Sequence, residues 1–137
     1  MFSRLTGKSR KDAGQTPQIE RVFESVHTTA DRVGPILCMT CIDESISERE
    51  AGILFDETDA LIDDRCTGIV VDLQNVMMLT SAGIGALVRL HKRIGERKGR
   101  LAVCSLSAEL AELFKLTRMD KLLVVAQDRE SALAAMR

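Results

Sequence analysis

Hydrophobic and polar positions divide this chain into short blocks with two different periods. From Gln18 to His27, "QIERVFESVH" alternates enough for a half-buried strand, with Ile19, Val22, Phe23 and Val26 as its apolar positions. "ADRVGP" predicts a turn, because Asp31, Gly34 and Pro35 punctuate it. A second strand over Ile36 to Ile42 is then expected to pair antiparallel with the first. The period changes in "SISEREAGILFDETDALIDD", where Ile53, Leu54, Leu61 and Ile62 mark a helical face and Ser47 with Glu50 forms a capping box. "TGIVVDL" is a continuous apolar run, as expected of a strand buried on both faces of a parallel sheet.

After "LTSAGIGALV", the residues Ile84, Leu87, Val88, His91 and Ile94 recur at helical spacing, and Gly99 in "ERKG" supplies a stop. "RLAVCSL" predicts a strand, and Ser107 caps a helix over "SAELAELFKL". "DKLLVVA" predicts the last strand and "DRESALAAM" the last helix. The predicted order is ββαβαβαβα. Alternating strands and helices imply an α/β fold: a mixed, mainly parallel sheet with right-handed crossovers, an N-terminal antiparallel strand and flanking helices. No internal repeat or interdomain linker interrupts it. Residues 1–17 carry no apolar period and are expected to be a disordered basic tail, leaving residues 18–137 as a single domain.

Composition narrows the function classes. Aromatics make up only 3% of the 137 residues, so the core is expected to be built from Leu, Ile, Val, Ala and Met. A formal net charge of −1 argues against a nucleic-acid binder. Neither a signal-peptide segment nor a membrane-spanning run is present, and a soluble cytoplasmic protein is expected. Cys38 and Cys41 have the CxxC spacing of redox and metal motifs. In a strand, however, residues three apart face opposite ways, and no second CxxC completes a zinc site. The four cysteines are therefore expected to be buried small hydrophobes without a disulfide.

The remaining chemistry centres on Thr80 and Ser81. A hydrolase elbow needs Gly-x-Ser-x-Gly, but the frame here is Leu79-Thr80-Ser81-Ala82-Gly83. No Asp or Glu lies between Ser81 and His91 to give the Ser-acid-His order of such enzymes. Gly83-x-Gly85 lacks the third glycine of a dinucleotide loop, and there is no Gly-Lys-Ser/Thr phosphate loop. No metal or cofactor is implied. A hydroxyl at a helix start can satisfy an orphan N–H, and the same helix end favours an added phosphate.

From "GIVVDLQNVMMLTSAGIGALVRLHKRIGERKGRLAVCSLSAELAELFKLTRMDKLLVV" the chain resembles the STAS domain family, and within it the bacterial anti-sigma factor antagonists. The likeness runs over residues about 36–126. It rests on an apolar strand ending in Asp-Leu and a serine-glycine motif opening a helix; a basic helix end and a Leu-Thr segment follow. The resemblance implies a noncatalytic protein-binding switch that binds an anti-sigma factor, itself a GHKL-type serine kinase, and so releases a sigma factor. It makes Ser81 the phosphoacceptor, with a PP2C-type phosphatase reversing the modification. Asp43, Thr80, Ser81, Ala82, Gly83 and Ile84 would form the partner-binding site, with Gly83 and Gly85 shaping the helix entry.

This chain departs from the family pattern at four positions. Thr80 stands in place of the motif Asp and Ala82 in place of its second Ser or Thr; Thr40 and Arg118 replace glycines. A non-glycine residue in a left-handed cap costs about 1 kcal/mol, so the Arg118 loop is expected to differ. STAS-like domains also serve as accessory subunits of transporters or bind small ligands such as nucleotides, which is the alternative function. Arg89, Lys92, Arg93, Arg97 and Lys98 are expected to form a solvated face.

Overall fold

The computed structural model describes residues 18–136; the tail expected over residues 1–17 lies outside them. Eight strands and five helices follow one another along the described chain. The main sheet contains β1 (Ile19–Glu24), β2 (Thr28–Val33), β3 (Ile36–Cys41), β5 (Gly68–Asp72), β7 (Arg100–Cys104) and β8 (Val124–Ala126), in that spatial order. Pairing is antiparallel from β1 to β3 and parallel from β3 to β8. A separate two-stranded parallel sheet joins β4 (Ser45–Ile46) to β6 (Met78–Leu79). The helices are α1 (Glu48–Asp59), α2 (Ser81–Gly95), α3 (Ala108–Leu116), α4 (Met119–Leu122) and α5 (Arg129–Ala135).

The α/β class and mixed sheet agree with the sequence pattern, but the element order differs in three places. "ADRVGP" is a strand over most of its length, and the turn is confined to Gly34, at φ 59°, and Pro35. Asp31 faces inward there because Arg21 and Arg129 both bind its carboxylate. The antiparallel partner of Ile36–Cys41 is therefore β2, not the first strand. The short β4 and β6 are additional. "DKLLVVA" is also divided, since Asp120–Leu122 lie in α4 and only Val124–Ala126 are strand.

Alternation along the central strands distributes the core between two faces. Leu37, Met39, Ile69, Val71, Leu101 and Val103 face one way, against Leu54 of α1, Leu87, Leu90 and Ile94 of α2, and Leu110 and Phe114 of α3. Cys38, Val70, Ala102 and Cys104 face the other way, against Ala132 of α5. Burying each large aliphatic side chain contributes roughly 1.5–3 kcal/mol, so the thicker first face dominates stability. Helix α1 begins as its sequence predicts, with the Ser47 N–H donating to Glu50 Oε1 at 3.1 Å.

Helix α2 ends at Gly95, four residues before the predicted stop. Lys98 takes the left-handed conformation, φ 64°, and the Gly99 N–H returns to the Ile94 carbonyl at 2.9 Å. Arg118 is also left-handed, φ 62° and ψ 21°, at the start of α4. That loop therefore keeps the backbone that favours glycine, contrary to expectation, and the arginine bears the strain. All four cysteines are free and buried. Cys38 and Cys41 belong to opposite faces of the sheet, as strand alternation requires.

Candidate functional site

The site lies beyond the C-terminal ends of β3 and β5, where two loops are laced together ahead of α2. Asp72 ends β5 almost fully buried and accepts from the Gln74 N–H at 3.0 Å, starting the turn. Asn75 Nδ2 donates to the Cys41 carbonyl at 3.3 Å. The Met77 and Met78 N–H groups both donate to the Glu44 carbonyl, at 2.7 and 3.1 Å. Parallel pairing of Ser45 with Met78 and of Ile46 with Leu79 then carries the chain into the helix.

Thr80 is the N-cap of α2, in extended conformation. Its N–H and its hydroxyl both donate to the Ile46 carbonyl, at 3.1 and 2.9 Å, while Oγ1 accepts from the Gly83 N–H at 3.4 Å. The cap thus fastens the helix start to the small sheet as well as satisfying one of the orphan donors. Ser81, the first helical residue, is exposed, and its side chain makes no hydrogen bond among the described residues. The Ser81 and Ala82 N–H groups take no protein acceptor among those residues either. No acidic residue occupies the first turn of α2, so the positive helix end stands uncompensated there.

Gly83 is buried, and a Cβ at this position would stand 3.1 Å from the Ile46 carbonyl oxygen while overlapping the Leu79 side chain. Its lack of a side chain lets α2 approach the small sheet. Gly85 has open space around the same position, so packing gives no reason for a glycine there. Ala82 and Ile84 are half-buried and pack against the main core.

Asp43 lies in the loop after β3, adjacent to Glu44, whose carbonyl holds Met77 and Met78. Its carboxylate is 2.8 Å from His27 Nδ1, so one histidine of the chain is committed to it. All six predicted site residues therefore lie on α2's first turn and cap or on the loop laced beneath it. Sequence reasoning missed the apolar surface beside them: Ile42, Met77 and Met78 are all exposed, the two methionines at 60% each. The run "NVMMLT" carries a signal only in retrospect, because buried Val76 and Leu79 bracket the methionines.

Arg89, Lys92, Arg93, Arg97 and Lys98, on α2 and just beyond its end, are all exposed, as expected of a solvated face, and three of them also make contacts within the fold. Arg89 stacks 3.9 Å above the Phe55 ring, Arg93 pairs with Asp59 at 2.7 Å, and Arg97 donates to the Asp63 carbonyl at 2.8 Å. Among the described residues no cluster of three or more His, Cys, Asp or Glu could hold a metal ion. No helix in that range is long and apolar enough to cross a membrane.

Comparison with known proteins identifies the family and the fold. Residues 27–132 match the STAS domain family. BtrV of Bordetella bronchiseptica, named among the anti-sigma factor antagonists, is 27% identical over 109 residues, spanning 80% of this chain and 93% of BtrV. The structure of an anti-sigma-factor antagonist (STAS) domain protein from Planctomyces limnophilus aligns with a TM-score of 0.73 at 23% identity, covering 83% of this chain and all of that one (100%). The Bacillus cell fate determinant SpoIIAA in its phosphorylated form aligns at a TM-score of 0.58 and 12% identity, over 88% of this chain and 100% of that one.

Proposed function

Because the chain belongs to the STAS domain family, we propose that it is an anti-sigma factor antagonist whose partner-binding state is set by phosphorylation of Ser81. In its unmodified form it docks, through the α2 start and the apolar residues beside it, on an anti-sigma factor that is a GHKL-type serine kinase. Docking displaces the sigma factor. The kinase then transfers phosphate to Ser81, which ends the association, and a PP2C-type phosphatase restores the binding form. The chain itself contributes binding and an acceptor hydroxyl, not catalysis, and works in the cytoplasm.

One observation carries the choice of acceptor: Ser81 is exposed and uncommitted, while the neighbouring Thr80 hydroxyl is tied to Ile46 and Gly83. A kinase can reach the first without dismantling the helix cap; reaching the second requires breaking it. The product also suits its place. A phosphoserine carries about −1.5 to −2 charges and, at the first turn, meets unpaired N–H groups and the positive end of α2. The same charge beside Ile42, Met77 and Met78 opposes their burial by a partner, because a phosphate must be desolvated with them. Coupling of only about 1–3 kcal/mol changes affinity roughly 5–150-fold, which suffices for a switch.

The test is phosphate mapping. The protein is incubated with ATP and the GHKL-type kinase encoded beside its gene, and the modified peptide is identified by mass spectrometry. Phosphate on Ser81 is expected. Phosphate on Thr80 would move the acceptor by one residue, and no phosphate at all would overturn the switch.

A further inference from the structure

Two sets of sulfur groups in this chain differ sharply in access. The thiols of Cys38, Cys41, Cys66 and Cys104 are all buried, at 0–2% exposure. Burial also pushes the Cys38 and Cys104 thiols up to about 11 and the Cys41 thiol to about 12, away from the reactive thiolate form. Met39 and Met119 are likewise enclosed in the core. Met77 and Met78 are the opposite case, adjacent in sequence, both exposed, and two to four residues ahead of Thr80 and Ser81. Their backbones are tied to Glu44, so their side chains can change chemistry without releasing the loop.

We propose that Met77 and Met78 form a methionine-oxidation site that weakens partner docking without unfolding the protein. The oxidant is a peroxide: its O–O bond breaks, one oxygen bonds to the thioether sulfur, and the remainder leaves as water after taking up the protons. Sulfur loses two electrons and the peroxide gains them. A flexible apolar side chain becomes a polar sulfoxide at an exposed position just ahead of the α2 start. Thiol-dependent methionine sulfoxide reductases run the reverse step, with the oxygen leaving as water and two thiols joining as a disulfide. The oxidation site stands on exposure alone, whereas its effect on docking rests on the partner reading given above.

The experiment treats the full chain with hydrogen peroxide, maps added oxygen by peptide mass spectrometry, and measures binding to the purified GHKL-type kinase encoded beside its gene. Met77 and Met78 are expected to gain one oxygen each before Met39, Met119 or any cysteine changes. The oxidised protein is expected to keep its thermal midpoint, to bind about tenfold more weakly, and to recover after sulfoxide reductase treatment. Met77→Leu with Met78→Leu, compared with itself before and after peroxide, is expected to lose no affinity on treatment, whatever its own starting affinity. Equal oxidation of Met39 or the thiols overturns the site. Undiminished binding after complete oxidation overturns the effect on docking while leaving the partner reading in place. Failure of the untreated protein to bind overturns that effect together with the partner reading, and the oxygen map is then judged by itself.

Discussion

The Thr80 hydroxyl donates to the Ile46 carbonyl at 2.9 Å, across 34 residues of chain, while its oxygen caps the Gly83 N–H at 3.4 Å. One side chain thereby joins the start of α2 to the loop that carries Asp43. Thr80→Val keeps the shape and removes both bonds, leaving Gly83 N–H unsatisfied. A loss of about 1–2 kcal/mol is expected in urea unfolding, while Thr80→Ser should cost far less. Equal stability of the valine variant and the parent would show that the cap contributes nothing.

The two glycines of α2's first turns should respond in opposite directions. Gly83→Ala forces a methyl group against Leu79 and the Ile46 carbonyl, and is expected to cost about 1–3 kcal/mol. Gly85→Ala enters open space within a helix and is expected to stabilise by roughly 0.5–1 kcal/mol. Thermal midpoints of the two variants check the pair, and a stabilising Gly83→Ala would contradict the packing.

Asp31 predicts an acid limit to stability. Burial alone would raise its carboxyl, but hydrogen bonds from Arg21 at 2.6 Å and Arg129 at 3.0 Å outweigh that and hold it below the ordinary carboxylate range. A carboxyl lowered by folding stabilises above its unfolded value of about 3.9, and that contribution is lost as pH falls through the lower folded value. Unfolding curves from pH 7 to below about pH 4 should therefore show less acid dependence in Asp31→Asn than in the parent. Parallel curves would remove Asp31 from the explanation.

Arg118 offers a gain in stability. Its left-handed backbone favours glycine, and Arg118→Gly is expected to stabilise by about 0.5–1 kcal/mol after the extra unfolded-state entropy of glycine is subtracted. A lowered urea midpoint would mean that the arginine side chain makes a compensating contribution.

The parts of this fold legible in the sequence are those in which burial and period coincide. "GIVVD" is buried at every position, and α2 repeats its buried residues at helical spacing. Strand β2 was illegible for the converse reason: Asp31 and Thr28 are polar yet buried. The partners that make this tolerable for Asp31, Arg21 and Arg129, lie 10 and 98 residues away in sequence. Two-residue strands such as β4 and β6 are too short to carry a period. Ser81 and Thr80 stood out as hydroxyls at a helix start, but their difference did not. The Ile46 carbonyl and the Gly83 N–H commit the Thr80 hydroxyl, while Ser81 is exposed. Nothing in the sequence separates exposed Met77 and Met78 from buried Val76 and Leu79, because an apolar run does not reveal which of its members a tight loop turns outward.

The central claim is that charge at Ser81 governs docking, and binding of the neighbouring GHKL-type kinase to Ser81→Ala and Ser81→Asp tests it most directly. The alanine variant is predicted to bind like the unphosphorylated parent. The aspartate variant is predicted to bind roughly 5–150-fold more weakly. Equal affinity of the two variants, both folded to the same thermal midpoint, would contradict the account.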